Sequence, residues 1–218
     1  MHIEPGILSG TKILLANVTA AATLSTRTPA LFRKTSNLLK AVLAAIFFSL
    51  FMQAFHLKVG PSELHFIGAS AVYFTFGFLP TMFGFGLGLL LQGLFFEPQD
   101  LVHLGVNSLS LIVPLVAAHH AVGKNLFLDT EVKQTASWSN IVRFDAVYYS
   151  GVVGMVGFWL LLGDEPTPLM SWVVFSLSYL PLVFCEPIFT RVVLKLLSRL
   201  SRTVAVVPRL TVIQRLSL

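Results

Sequence analysis

The chain opens Met1-His2, and these two residues bring three nitrogen ligands into one short stretch. The Met1 α-amine and the His2 amide nitrogen close a five-membered chelate ring on a metal. The same amide and the His2 ring Nδ1 close a six-membered ring. All three lie in one plane and leave one corner of a square empty. Square-planar nitrogen ligation suits Ni(II) or Cu(II), and Co(II) fits where the geometry relaxes. The amine has to be free. Residues 1–7 hold no basic stretch of the kind that opens a signal peptide, and the large His2 is expected to protect Met1 from removal, so the N-terminus is read as mature. Protons compete for amine and imidazole, so occupancy is expected to fall in acid.

The fourth corner must come from another side chain near the same face. His65 in "GPSELHFIGAS", His56 and His103 are the candidates, and each of the last two also reads as an interfacial polar residue. His119-His120 lie far along the span that begins near His103. They read as a helix-end cap suited to the macrodipole, or as part of an exit route. An intramembrane metalloenzyme built on His56, His103, His119 and His120 is the rival reading, and a metal-independent channel or scaffold is a third. The enzyme needs its ligands at one depth, whereas these are split between two.

The elements that position such groups are membrane spans. Of 218 residues 55% are hydrophobic and only 11% charged, with mean hydropathy +0.80. Soluble domains are about a quarter charged. One cysteine, Cys185, excludes both a disulfide framework and a cysteine metal site. The pattern predicts an all-α integral membrane protein, a bundle of seven spans near 7–26, 37–56, 64–79, 81–96, 101–122, 141–162 and 169–190. The third and fourth come from one apolar run split at Pro80, where the preceding Leu79 is biased out of helix. Both are short, so a thinned or re-entrant arrangement is open. The first span carries Lys12, Asn17, Thr19, Thr23 and Ser25 and is expected to face other helices.

Seven spans with the N-terminus outside leave only Lys12 and Lys58, of 15 Lys and Arg, off the cytoplasmic side. Residues 1–190 thus read as a transmembrane metal-binding domain, and 191–218 as a basic cytoplasmic tail lying on anionic lipid or docking a partner. Glu186, beside Pro187 in the seventh span, is a functional suspect by its position in the membrane. A local pair with Arg191 is the other account. Ala16/Ala20 and Gly84/Gly88 have small-xxx-small spacing for close helix contact. The chain lacks G-x-x-x-x-G-K-[ST], so it does not hydrolyse ATP by that machinery.

Four stretches, "MHIEPGIL", "ELHFIGAS", "GLGLLLQGLFF" and "LVHLGVNSLSLIVPLV", resemble the CbiM/NikM family in its order from residue 1 to about 125. Beyond that point the match is one of hydropathy. Members are the membrane substrate-binding (S) components of energy-coupling-factor transporters, the ATP-driven importers that supply nickel enzymes or cobalamin biosynthesis. The resemblance implies a Ni(II) or Co(II) substrate held by the Met1 amine, the His2 amide and ring, and the His65 ring. It implies Asn107 as the partner that orients His2 or the loop, with helix packing as the plainer role. Glu63 then attracts the cation or holds the loop. It also implies a T subunit, paired ATPase subunits, a small accessory membrane subunit and a place in the bacterial inner membrane. Small residues on the first helix, here Ala16 and Ala20, are implied in docking the T subunit. "GPSEL" replaces the small-residue stretch common before the family's histidine.

Overall fold

A computed structural model describes residues 6–54, 56–59, 62–65, 68–124, 134–164, 166–212 and 216–217, with backbone alone at 56–58, 62–65, 134–135 and 216–217. The helices are α1 (Gly10–Phe32), α2 (Thr35–Ala54), α3 (Ala69–Phe76), α4 (Phe78–Phe95), α5 (Leu104–Ala118), α6 (Trp138–Leu161), α7 (Leu169–Ser178), α8 (Leu180–Thr203) and a last turn, α9 (Val207–Leu210). An antiparallel hairpin, β1 (His56–Val59) and β2 (Ser62–His65), follows α2. Two-residue strands β3 (Gln134–Thr135) and β4 (Leu216–Ser217) pair in parallel and bring the C-terminal segment back to the head of α6.

The outside is apolar and the inside carries the polar groups, as a bilayer solvent requires. Leu15, Phe95, Leu161 and Phe184 face outward. Ser70, Thr81, Asn107, Ser110, Asp145 and Glu186 are buried together with Phe74, Phe85, Phe144 and Tyr148. Five described segments are long and apolar enough to cross a membrane: α2, α4, α5 with its following turn, α6, and α7 with α8 taken together. The polar α1 falls outside that set, and its Asn17 faces another helix, as its composition predicts.

The third segment departs most from expectation. The chain over 62–65 is strand, and α3 has eight residues, about 12 Å of rise. That is well under half a bilayer core. The break between α3 and α4 lies at Gly77, not at Pro80. Gly77 has φ 86 and ψ 174, a conformation suited to glycine and hostile to a Cβ. Pro80 is the third residue of α4, where its missing N–H costs nothing because first-turn donors have no partner within the helix. Gly77→Ala is expected to lower stability by about 1–3 kcal/mol, read as a fall in melting temperature in detergent.

Close contact of α2 with α4 explains the Gly84/Gly88 spacing. A Cβ at Gly84 would stand 2.5 Å from the Ala44 Cβ, and one at Gly88 2.6 Å from Phe48 Cδ1. The two helices run parallel, and a polar clasp crosses between them. Ser49 Oγ donates to Gln92 Oε1 at 3.3 Å, and Gln92 Nε2 donates to Gln53 Oε1 at 2.9 Å. Helix α8 runs through residue 190 without interruption, so the expected body–tail boundary coincides with no break in secondary structure.

Candidate metal centre

Met1 and His2 lie outside the described residues, as do the side chains of Glu63, His65 and His56. What is described is the frame that approaches them. Ile7 carbonyl oxygen accepts the Asp164 N–H at 3.0 Å, just past α6. Lys12 Nζ donates to the Leu162 carbonyl at 2.7 Å and forms an ion pair with Asp164. These contacts fix the start of α1 against the α6–α7 connection. Strand β1 in turn lies against α7. His65 closes the hairpin opposite His56, and Glu63 stands opposite Lys58.

A second tie joins α1 to the head of α5. Gly105 N–H donates to Asn17 Oδ1 at 2.6 Å, and Asn17 Nδ2 donates to the Val102 carbonyl at 3.2 Å. The same head holds three buried polar side chains, Asp100, His103 and Asn107. His103 precedes the first turn, and its carbonyl accepts the Asn107 N–H at 2.9 Å. Asn107 is therefore one turn inside α5 and 1% exposed. His103 read from the sequence as a candidate ligand or an interfacial polar residue; the turn-rich "EPQDLVHLG" gave no sign that the chain from the 3-10 turn (Pro98–Leu101) to the head of α5 would bury both Asp100 and His103.

Ala16 and Ala20 are both buried in the chain's own core. Their spacing serves packing within the bundle, and Leu14, Leu15 and Val18 of α1 are exposed.

The remaining histidines are at the far end of α5, roughly 24 Å from His103 at helical rise. His119 stacks on Phe78 with centroids 3.9 Å apart, and its Nδ1 lies 2.7 Å from Tyr73 Oη. His120 Nδ1 bonds the Val116 carbonyl at 2.9 Å. Gly123 makes room for the Tyr73 hydroxyl, since a Cβ there would come within 1.9 Å of it. Tyr73→Phe removes the His119 contact and is expected to cost about 1–2 kcal/mol, measured by thermal melting. Among the described residues no three His, Cys, Asp or Glu gather as a metal site. Among the described residues, His103 and the His119–His120 pair stand at opposite ends of α5 and share no site.

Glu186 does not pair with Arg191. Arg191 Nη1 donates to the Ala136 carbonyl at 2.9 Å, with its guanidinium 5.6 Å from the Trp138 ring centroid. Glu186 instead turns to α3, accepting Gly68 N–H at 2.8 Å and Ser70 N–H at 3.0 Å. Asp145 lies buried, 1% exposed, on α6, which packs against α8. The sequence reading passed over Asp145; an acid four residues inside a span was the available signal.

No curated protein matches the sequence. Two solved structures share the fold at 18% identity. A transition metal transporter superposes with TM-score 0.70 over 93% of this chain and 94% of that one, and a truncated transition metal transporter with 0.68 over 91% and 99%. Residues 2–204 match the family described as "Cobalt uptake substrate-specific transmembrane region". The chain belongs to this cobalt-uptake transmembrane family, and is a component of a transporter rather than an enzyme.

Proposed function

We propose that this chain is the substrate-capture component of an ATP-driven Co(II) or Ni(II) importer. The metal is held by the Met1 amine, the His2 amide and ring, and the His65 ring, with Asn107 orienting His2 or the loop and Glu63 attracting the cation or holding the loop. The observation that carries the reading is the family match over residues 2–204. It is supported by the frame around the N-terminus, since the α6–α7 region contacts both Ile7 and the hairpin strand paired with β2. Four nitrogen donors fit Ni(II) on geometry and leave Co(II) admissible.

The chain runs with its N-terminus outside and its C-terminus inside a bacterial cell membrane. Seven crossings result, the third made jointly by the hairpin and the half-length α3. Energy comes from paired ATPase subunits through a T subunit, with a small accessory membrane subunit completing the importer. The basic segment beyond residue 190 lies on the cytoplasmic side.

Titration calorimetry on the full chain, tagged only at its C-terminus, tests the binding claim. Saturable binding of Ni(II) or Co(II), with none of Mg(II), is expected. A chain that takes up neither transition metal sinks the reading. Impermeant thiol labelling in intact cells tests the orientation. On a Cys185→Ser background, a cysteine at position 164 should label from outside and one at 199 should not.

A further inference from the structure

The end of α1, the starts of α2 and α4 and the far end of α5 gather around one cavity of about 580 Å³. Arg33, Lys34 and Lys40 line it, and none of its described lining residues is acidic. Arg33 and Lys34 form the turn between α1 and α2, and both are exposed. The first turn of α4, from Phe78 to Pro80, makes another wall. Its N-cap is Gly77, which has no side chain to cap the helix. The positive end of the α4 dipole therefore adds to the field of the cations. A cleft lined by one sign of charge draws the opposite charge, here an anion.

A second cavity of a different kind adjoins the first. It holds about 340 Å³ between α2, α3 and α8, and Phe76 and Thr211 line both cavities. Leu43 and Phe47 of α2 face Val193 and Leu197 of α8 across it. Among its described lining residues the polar side chains are Thr75 and Thr211. Thr211 Oγ1 already donates to the Val207 carbonyl at 2.8 Å. Val212 N–H donates to the Thr75 carbonyl at 2.7 Å, which holds the C-terminal segment at the junction. Both volumes lie in the range of ligand-binding cavities.

We propose that the paired cavities bind one anionic phospholipid. The phosphate lies among Arg33, Lys34 and Lys40, and an acyl chain fills the slot between α2 and α8. Lys and Arg suit this position, since their stems run along apolar surface while their charged heads meet the phosphate. A free phosphate leaves the slot empty, and a neutral lipid leaves the cations unmatched. The bound lipid bridges α2 to α8 beside the break between α3 and α4. The site contains none of the proposed metal ligands and does not rest on the function proposed above.

Native mass spectrometry of the full chain, released from detergent, tests the site. One phosphatidylglycerol should bind about 10-fold or more tighter than phosphatidylcholine, a preference that two or three cations beside one headgroup can supply. Arg33→Gln combined with Lys34→Gln should erase that preference. Leu197→Trp fills the slot with the charges intact, and should weaken both lipids while keeping the preference. Should either variant fail to fold, phosphatidylglycerol with a photoreactive acyl chain serves on the unaltered chain. Its label should fall on α2 and α8 around Leu43, Val193 and Leu197. Equal affinity for the two lipids in the unaltered chain overturns the proposal, as does a preference that survives in the well-folded double variant. Label confined to other helices overturns it too. Inorganic phosphate that displaces the lipid, with no effect of Leu197→Trp, assigns the cavity to a free anion and overturns it. A dimer that the double variant dissociates overturns it by assigning the cavity to a second copy of the chain.

Discussion

His65→Ala, and separately a two-residue extension ahead of Met1, should each weaken Ni(II) binding by on the order of 100-fold or more. The scale follows from the rule that losing merely the hydrogen-bonding partner of a metal ligand costs about 10–100-fold. The extension acts through the amine. It moves the terminal nitrogen two residues from Met1 and leaves the His2 ring without its chelating neighbour. A one-residue insertion between Met1 and His2 behaves differently, and the difference is diagnostic. The chain then begins with an amine, two amide nitrogens and an imidazole in one run. These close two five-membered rings and one six-membered ring and fill all four corners of the square by themselves. Ni(II) binding should therefore survive the insertion and no longer depend on His65. Titration calorimetry on the single variants and on the insertion combined with His65→Ala checks this. If His65→Ala binds nickel as the unaltered chain does, His65 is not the fourth ligand. If the combined variant fails to recover binding, the N-terminal chelate is not the core of the site.

Much of this arrangement was legible in order and composition. Spans corresponding to α2, α4, α5 and α6 followed from apolar runs long enough to cross a bilayer, because that signal needs no tertiary information. The role of Asn17 in facing another helix followed from polarity in a segment otherwise apolar. The family's motifs, quoted residue by residue, led to the family that the match over 2–204 establishes. What failed was local. Leu79-Pro80 looked like the break because the residue before proline avoids helix. Proline in a first turn is tolerated, however, and the positive φ at Gly77 ended α3 three residues earlier. The hairpin over 56–65 was hidden in hydropathy, which does not distinguish a short strand from a helix start. Glu186 was noticed as an acid in a membrane span, but its partners are 116 and 118 residues away in sequence. No local rule reaches Gly68 and Ser70 from there, and the local partner on offer was Arg191 on the same helix.

Gly105→Ala should be the most damaging single methyl among the described glycines, and it should act on metal capture from a distance. A Cβ at Gly105 would lie 2.3 Å from Asn17 Cα, 2.5 Å from its Oδ1 and 2.6 Å from its N. Backbone atoms cannot swing aside as a side-chain tip does, so α1 must move off α5. Overpacking of this kind costs about 1–3 kcal/mol. The displacement also strains the two hydrogen bonds of Asn17, each worth about 1 kcal/mol. A loss of about 3 kcal/mol or more is therefore expected, seen as a clear drop in melting temperature. Gly154→Ala is the control, because a Cβ there meets nothing within 4 Å. Helix α1 follows Ile7 and the proposed ligands Met1 and His2 in the chain, so on that proposal nickel affinity should fall with stability in Gly105→Ala although Gly105 is not itself a proposed ligand. Adding Asn17→Ala should not rescue the variant. Truncating the side chain removes the Oδ1 contact and leaves the two backbone ones, to Cα and N, of which that to Cα is the closest of all. A double variant that melts like the unaltered chain would mean that α1 and α5 are not held at this distance.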